Sequence, residues 1–116
     1  MSHHLISVWL LSEDEELRLT HLVAQGRAES LKQVPDPLIV EEGDAAYFQL
    51  NPASQHPVLS VVKEYSGPGR DLRKLMLAGN GGLALAIVTF GMKKHISFRS
   101  YAVHMIHLKI METFDE

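Results

Sequence analysis

The stretch GNGGLALAIVTF, residues 79–90, decides the fold that the sequence predicts. Its second part, residues 83–90, is almost unbroken apolar sequence, which is typical of a central β-strand buried on both faces. Its first part, residues 79–82, offers glycine and asparagine for the left-handed conformation that ends many helices. We therefore expect a helix over about residues 70–78 that stops at the glycines and leads into a buried strand.

More strands are expected on either side of this one. Ile96 and Phe98 alternate with polar residues, which predicts an antiparallel partner strand. Upstream, runs rich in β-branched and aromatic residues lie between turn residues and predict further strands. The predicted upstream strands are residues 4–11, 38–41, 45–50 and 58–65, with a turn at residues 42–44.

Helices are expected near both ends of the chain. Ser12 and Glu15 match a capping box, in which the serine oxygen accepts from free amides of the first helical turn. Gly26 is a possible end of that helix. The last segment, residues 101–114, is predicted to be helical because its apolar residues fall on one stripe. The stripe consists of Val103, Ile106, Ile110 and Phe114.

Together these elements predict an α+β fold in a single globular domain over residues 1–116. We expect a mostly antiparallel sheet of about five or six strands, packed with two or three helices. The length of 116 residues suits one domain, and the hydrophobic share of 46% is typical of globular proteins.

The composition excludes several classes of chemistry. The chain has no cysteine, which rules out disulfides, thiol catalysis and cysteine-based zinc sites. Its formal net charge is −3 and its basic residues are scattered, so a nucleic-acid partner is not expected. The longest apolar run, residues 82–90, is far shorter than the roughly 20 residues that cross a bilayer. The start of the chain lacks the charged segment of a signal peptide, which favours the cytoplasm.

The final helix supplies the candidate binding surface. Tyr101, Met105 and Leu108 lie opposite its apolar stripe, so this helix is apolar on two sides. A small domain covers one side of such a helix with its own core, and the other side is then a candidate for a protein partner or a second subunit. The alternative is that these three are single exposed apolar residues, which are common.

Seven histidines raise the possibility of a metal site. His104 and His107 are one helical turn apart, where two imidazoles can share a metal ion. A protein site needs three or four ligands, and His95 is a candidate third ligand without a recognisable spacing. We favour packed histidines and expect no cofactor. A metal- or ligand-responsive regulator that uses these histidines stays the alternative.

No pattern predicts an enzyme. The glycines at 79–82 follow a helix and precede a strand, whereas phosphate loops run from a strand into a helix. The serines lack the Gly-x-Ser-x-Gly elbow of a hydrolase.

The N-terminal stretch from Ser7 to Leu10, with the helix after it, is similar to a ribbon-helix-helix repressor. A small DNA-binding regulator is therefore a second alternative.

From residue 12 onward the predicted element order resembles that of the class I chaperones of type III secretion. The local similarity lies in residues 70–80 (RDLRKLMLAGN) followed by residues 83–86 (LALA), which resemble the second helix and core strand of that family. The resemblance implies a homodimeric chaperone or adaptor that holds an extended segment of a client protein. No cofactor would be needed. We therefore expect a non-catalytic protein-binding domain.

Overall fold

The computed structural model describes residues 9–91 and 95–115, and within these ranges all regular structure is helical. The predicted α+β fold with an antiparallel sheet is therefore wrong. In the described ranges five α-helices follow one another, and a 3-10 helix continues the last of them. They are α1 (Glu13–Ser30), α2 (Pro37–Ala53), α3 (Gln55–Tyr65), α4 (Leu72–Thr89), α5 (Phe98–Glu112) and the 3-10 helix Thr113–Asp115.

Helices α1 and α2 form an antiparallel hairpin joined by a short connection. The serine half of the predicted capping box is confirmed, since the Ser12 hydroxyl accepts from the amide of Glu15 at 3.1 Å, whereas the Glu15 carboxylate accepts from Arg18. Gly26 does not end α1, which runs on to Ser30. A Cβ atom placed on Gly26 would lie only 2.9 Å from the Cα of Gly43. The two glycines therefore allow α1 and α2 to cross in backbone contact.

The second hairpin consists of α4 and α5. The predicted helix stop at residues 79–82 is wrong, because α4 passes straight through these glycines. A Cβ on Gly82 would lie 2.5 Å from the carbonyl oxygen of Met105 and 2.7 Å from the Cα of Ile106. Glycine here serves a close helix crossing, a common reason for glycine inside a helix. The helix then continues over the predicted strand at residues 83–90.

Three of the predicted strands fall inside α2 and α3. Residues 38–41 and 45–50 both belong to α2, and the supposed turn between them contains Gly43, which is buried at the crossing with α1. Residues 58–65 form most of α3. Valines at helical spacing line its inner face and pack towards Gly79 of α4. The buried valines of α3 are Val58, Val61 and Val62.

The last two predicted strands are also not observed where the structure describes them. Residues 4–8 lie outside the described ranges, and residues 9–11 are not a strand. Ile96 is in the loop before α5, whereas Phe98 is the first residue of α5 and is buried. Ser97 caps this helix by accepting from the amide of Ser100 at 3.1 Å.

Side chains from all five helices form one apolar core. The two hairpins contact each other through it, and α3 packs against both α4 and α5. The molecule measures 51 × 35 × 24 Å. Among the described helices none combines the length and the hydrophobicity that a membrane-spanning helix needs. The fully buried large side chains of the core are Leu19, Leu50, Val58, Val62, Leu83, Ile87, Phe90, Ile106 and Ile110.

Candidate protein-binding surface

Helix α5 places the candidate site at the edge of the second hairpin. Its helical conformation, predicted for residues 101–114, is confirmed: the α-helix runs from Phe98 to Glu112 and a 3-10 helix from Thr113 to Asp115. Of the predicted inner stripe, Ile106 and Ile110 are buried, Val103 is half-buried and Phe114 is exposed. Phe98 and Ala102 complete the buried side at a spacing of four residues. The opposite side of α5 is left facing outward.

The three residues predicted to form an interface lie in one row beside the buried side, and two of them, Tyr101 and Met105, pack against the core. Tyr101 and Met105 are half-buried and Leu108 is 41% exposed. Their spacing of four and three residues places them in one row along the helix. Met111, 52% exposed, extends the row. We refer to Tyr101, Met105, Leu108 and Met111 as the outer strip of α5.

The N-terminal half of the outer strip, Tyr101 and Met105, is held in place by α4. The Tyr101 hydroxyl lies 2.7 Å from the Thr89 hydroxyl, and the Tyr101 ring packs 5.8 Å from the Phe90 ring. Met105 lies where the backbone of α5 meets Gly82. These contacts hold the strip in place before any partner binds. Leu108 and Met111 are the members with the most surface to offer.

The charges beside the outer strip are paired locally. Lys109 lies 3.3 Å from Glu112, and both are on α5 itself. His104 is exposed on the same side of the helix. The strip is therefore an apolar row without a net charge of its own at neutral pH. Such a row suits the apolar face of another protein better than a phosphate backbone.

The three candidate metal ligands do not come together. His107 is half-buried, and its Nδ1 lies 2.7 Å from the hydroxyl of Tyr65 on α3. His104, one turn before it on α5, is exposed, and His95 is exposed in the loop before α5. In the residues that the structure describes, no group of three or more histidine or acidic side chains has a metal-binding arrangement. The packed-histidine interpretation accounts for the position of His107.

Arg99 is a residue that the sequence did not single out. Its Nε donates to Glu16 Oε1 at 2.9 Å and its Nη2 donates to the carbonyl of Leu11 at 2.8 Å. The guanidinium also lies over the ring of Trp9, 5.3 Å from its centre. Burial raises the pKa of Glu16, and the hydrogen bond from Arg99 opposes this shift. Arg99 therefore links α5 to α1 and to the segment before α1 through hydrogen bonds.

Other exposed apolar residues cluster at the turn of the first hairpin. Three of them lie within eight residues around this turn. They are Leu31, Val34 and Leu38, exposed to 87%, 87% and 67%. Nothing in their spacing distinguishes a binding site from an exposed turn, so they could not be singled out from the sequence.

A surface groove of about 300 Å³ lies between α1 and α2. Its apolar wall contains Leu22 and Ile39, and its rim contains Glu29 and Lys32. The hydrogen bond from Lys32 and the amide of Asp36 lower the pKa of Glu29. Glu29 and Lys32 are already bonded to each other, and Glu29 also accepts from the amide of Asp36 in the connection between α1 and α2. We therefore do not assign a ligand to this groove.

No family model matches the chain. Among curated proteins, it is similar to the RNA polymerase sigma factor SigA of Lactococcus lactis subsp. cremoris, with 31% identity over 101 residues. The match covers 87% of this chain and 24% of that protein. The chain therefore spans about a quarter of the length of this relative.

The predicted strands on which the resemblance to type III secretion chaperones depended are helices, so the fold gives no support to a chaperone or adaptor.

Proposed function

We propose that this chain is a non-catalytic, helical protein-binding domain that acts with RNA polymerase in the cytoplasm. The observation that carries the proposal is the 31% identity with an RNA polymerase sigma factor across 87% of the chain. In a chain of 116 residues an alignment of 101 residues covers most of α1 and all of α2, α3 and α4, wherever it begins. The name of the relative gives RNA polymerase as the protein with which it works, and we transfer that partner to this chain.

The outer strip of α5 is the surface that we assign to the polymerase. It is apolar, it is held in position by α4, and its free end carries Leu108 and Met111. A side chain that is already held in place loses little entropy on binding, and Tyr101 is held in this way by Thr89 and Phe90. The charges nearby are paired with each other and leave the strip free to make apolar contacts.

The polar side chains where α5 contacts α1 and α3 support binding over catalysis. The side chains of Tyr65 and His107 bond to each other, and Arg99 is occupied by Glu16 and Leu11. A catalytic base must reach a substrate proton, and these groups are aimed at their own protein. These bonds hold α5 against α1 and α3.

DNA is the second candidate partner, since a sigma factor is a part of the transcription machinery. The net charge of −3 favours protein over DNA, because non-specific binding of DNA depends on Lys and Arg contacts to phosphates. We therefore place the contact on the polymerase.

The experiment is a fluorescence-anisotropy titration of the labelled chain with core RNA polymerase from L. lactis. Leu108→Glu is the test variant and Leu59→Glu is its control, because both leucines are 41% exposed and only Leu108 lies on the outer strip. We expect saturable binding for the wild type and for Leu59→Glu. Leu108→Glu should bind roughly tenfold or more weakly, because it buries a charge in the interface.

Two results would count against the proposal. Equal affinities for the two variants would remove the outer strip from the interface. Saturable binding to a double-stranded DNA fragment, together with no response to the polymerase, would replace the protein partner with DNA.

A further inference from the structure

The side of α2 that points away from the core carries a row of exposed residues. Buried Gly43, Ala46 and Leu50 mark the inner side of this helix. Residues three or four positions apart lie on the same side of a helix, and one such row lies opposite the buried residues. We refer to this row as the acidic face of α2. It consists of Leu38, Glu41, Ala45 and Phe48, which are all exposed.

Phe48 is the largest side chain of the acidic face and is 71% exposed. The ring of Tyr47 meets it edge to face, with 5.6 Å between the ring centres. Tyr47 is itself half-buried, and its hydroxyl accepts from Nδ2 of Asn51. An aromatic side chain that already packs against its own protein loses little entropy on binding. Phe48 therefore suits the role of an anchor in an interface.

The charges of α2 have one sign. This helix contains three acidic residues and no basic residue. Glu41 lies within the row, and helical geometry places Glu42 and Asp44 at its two edges. In the ranges that the structure describes, none of these three carboxylates has a hydrogen bond or an ion pair. The acidic face therefore combines apolar side chains with unpaired negative charge.

The basic residues of the first hairpin do not neutralise this face. Arg18 and Lys32 line grooves beside Glu42, but both are paired with other carboxylates of α1. Arg27 and Asp44 line one groove and lie too far apart for an ion pair. The carboxylates of α2 are thus available to cations from outside the subunit.

We propose that the acidic face of α2 binds an amphipathic helix of a protein partner, whose apolar stripe is flanked by lysine or arginine. Leu38 and Phe48 pack on the apolar stripe, and Ala45 between them lets the two helices approach closely. The basic flanks of the partner pair with the three carboxylates, as charged residues beside the seam of two packed helices do.

A second copy of the chain is a poor occupant of the same face. Two α2 helices packed through it would bring together three carboxylates from each, and neither helix supplies a cation. Juxtaposed charges of one sign disfavour such a pair. The acidic face also differs from the outer strip of α5, where the charges are paired locally. This inference therefore does not depend on the contact with the polymerase.

Two synthetic helical peptides of about 18 residues test the proposal. They share an apolar stripe of leucine and alanine, and the flanks are lysine in one and glutamate in the other. We expect the wild type to bind the lysine peptide roughly tenfold or more tightly than the glutamate peptide in calorimetric titrations. No binding of the lysine peptide, or equal affinity for the two peptides, would overturn the proposal.

Two pairs of matched variants locate the binding. Glu41→Lys and Glu64→Lys change the net charge equally, but Glu64 is exposed on α3. Glu41→Lys should weaken binding of the lysine peptide roughly tenfold, and Glu64→Lys should change it little. Phe48→Ser should weaken it by a similar factor, whereas Leu77→Ser, at a similarly exposed leucine of α4, should not. Equal effects within either pair would overturn the proposal.

Sedimentation equilibrium of the wild type and of Phe48→Ser examines the alternative occupant. We expect both proteins to be monomeric. Self-association of the wild type that Phe48→Ser abolishes would assign the acidic face to a second copy and overturn the proposal. None of these experiments contains polymerase, so failure of this inference and failure of the proposed function are separate outcomes.

Discussion

The guanidinium of Arg99 on α5 donates to the carboxylate of Glu16 on α1, with Nε 2.9 Å from Oε1, across 83 residues of sequence. Glu16 is 2% exposed, whereas the Arg99 side chain is 25% exposed. A carboxylate in this position is stable only because its partner is held beside it. The pair therefore couples the first hairpin to the helix that carries the proposed binding surface.

Arg99→Ala should destabilise the protein by about 1–3 kcal/mol at pH 7, less than for a fully buried pair because Arg99 is partly exposed. The pKa of Glu16 is already raised by burial, so ionised Glu16 costs stability as the pH rises above about 4.5. Without Arg99 the ionised Glu16 lowers the free energy of unfolding further, because the hydrogen bond and the charge of Arg99 no longer oppose the effect of burial. The difference from the wild type should therefore be large at pH 7 and shrink near pH 4, where Glu16 is protonated.

Urea denaturation of both proteins at the two pH values measures this difference. Arg27→Ala, an exposed arginine of α1, is the control and should change stability little at either pH. A loss for Arg99→Ala that is the same at pH 4 and pH 7 would show that Glu16 is not the group through which Arg99 acts.

Gly82→Ala should destabilise the protein by about 1–3 kcal/mol, the usual cost of overpacking. The new Cβ would be 2.5 Å from the carbonyl oxygen of Met105, and two backbones must separate to relieve the clash. Gly81→Ala, its neighbour, should instead raise stability by about 0.5–1 kcal/mol. Urea denaturation of both variants measures these changes. Equal effects of the two substitutions would contradict the close crossing of α4 and α5.

Glu29→Gln should reduce the acid sensitivity of the protein. Lys32 and the amide of Asp36 lower the pKa of Glu29, so its ionised form stabilises the folded state above about pH 4.5. This contribution is lost as the pH falls through the lowered pKa. The fall in the urea midpoint between pH 6 and pH 3 should be smaller in Glu29→Gln than in the wild type. Glu41→Gln, exposed on α2, should show the full fall.

The start of α1 and the helical conformation of α5 were predictable because their signals are local. Ser12 and Glu15 form the predicted cap of α1, and the one-sided apolar spacing of residues 101–114 indicated a helix. Both features depend only on neighbours within about one helical turn. The position of the outer strip followed from the same spacing.

The middle of the chain was mispredicted because its glycines and valines act through distant contacts. Gly43 and Gly82 were interpreted as breaks, but each allows another helix to approach, and the sequence does not show that other helix. The valines of α3 were assigned to a strand from their β-branched side chains. Their spacing of three and one residues, at 58, 61 and 62, already matched a helix, and propensity was given too much weight against it.

Arg99 could not have been selected from the sequence. Its partners are Glu16, the carbonyl of Leu11 and the ring of Trp9, all more than 80 residues away. A single arginine at the start of a helix is usually solvated, and only the packing of the two hairpins gives it a role.

Competition with SigA tests the central claim most directly. The labelled chain is bound to L. lactis core RNA polymerase, and unlabelled SigA is then added in increasing amounts. Because the chain resembles about a quarter of SigA, we predict that SigA displaces it completely and that the anisotropy returns to that of the free chain. A chain that does not bind the polymerase, or that stays bound at saturating SigA, would contradict the account.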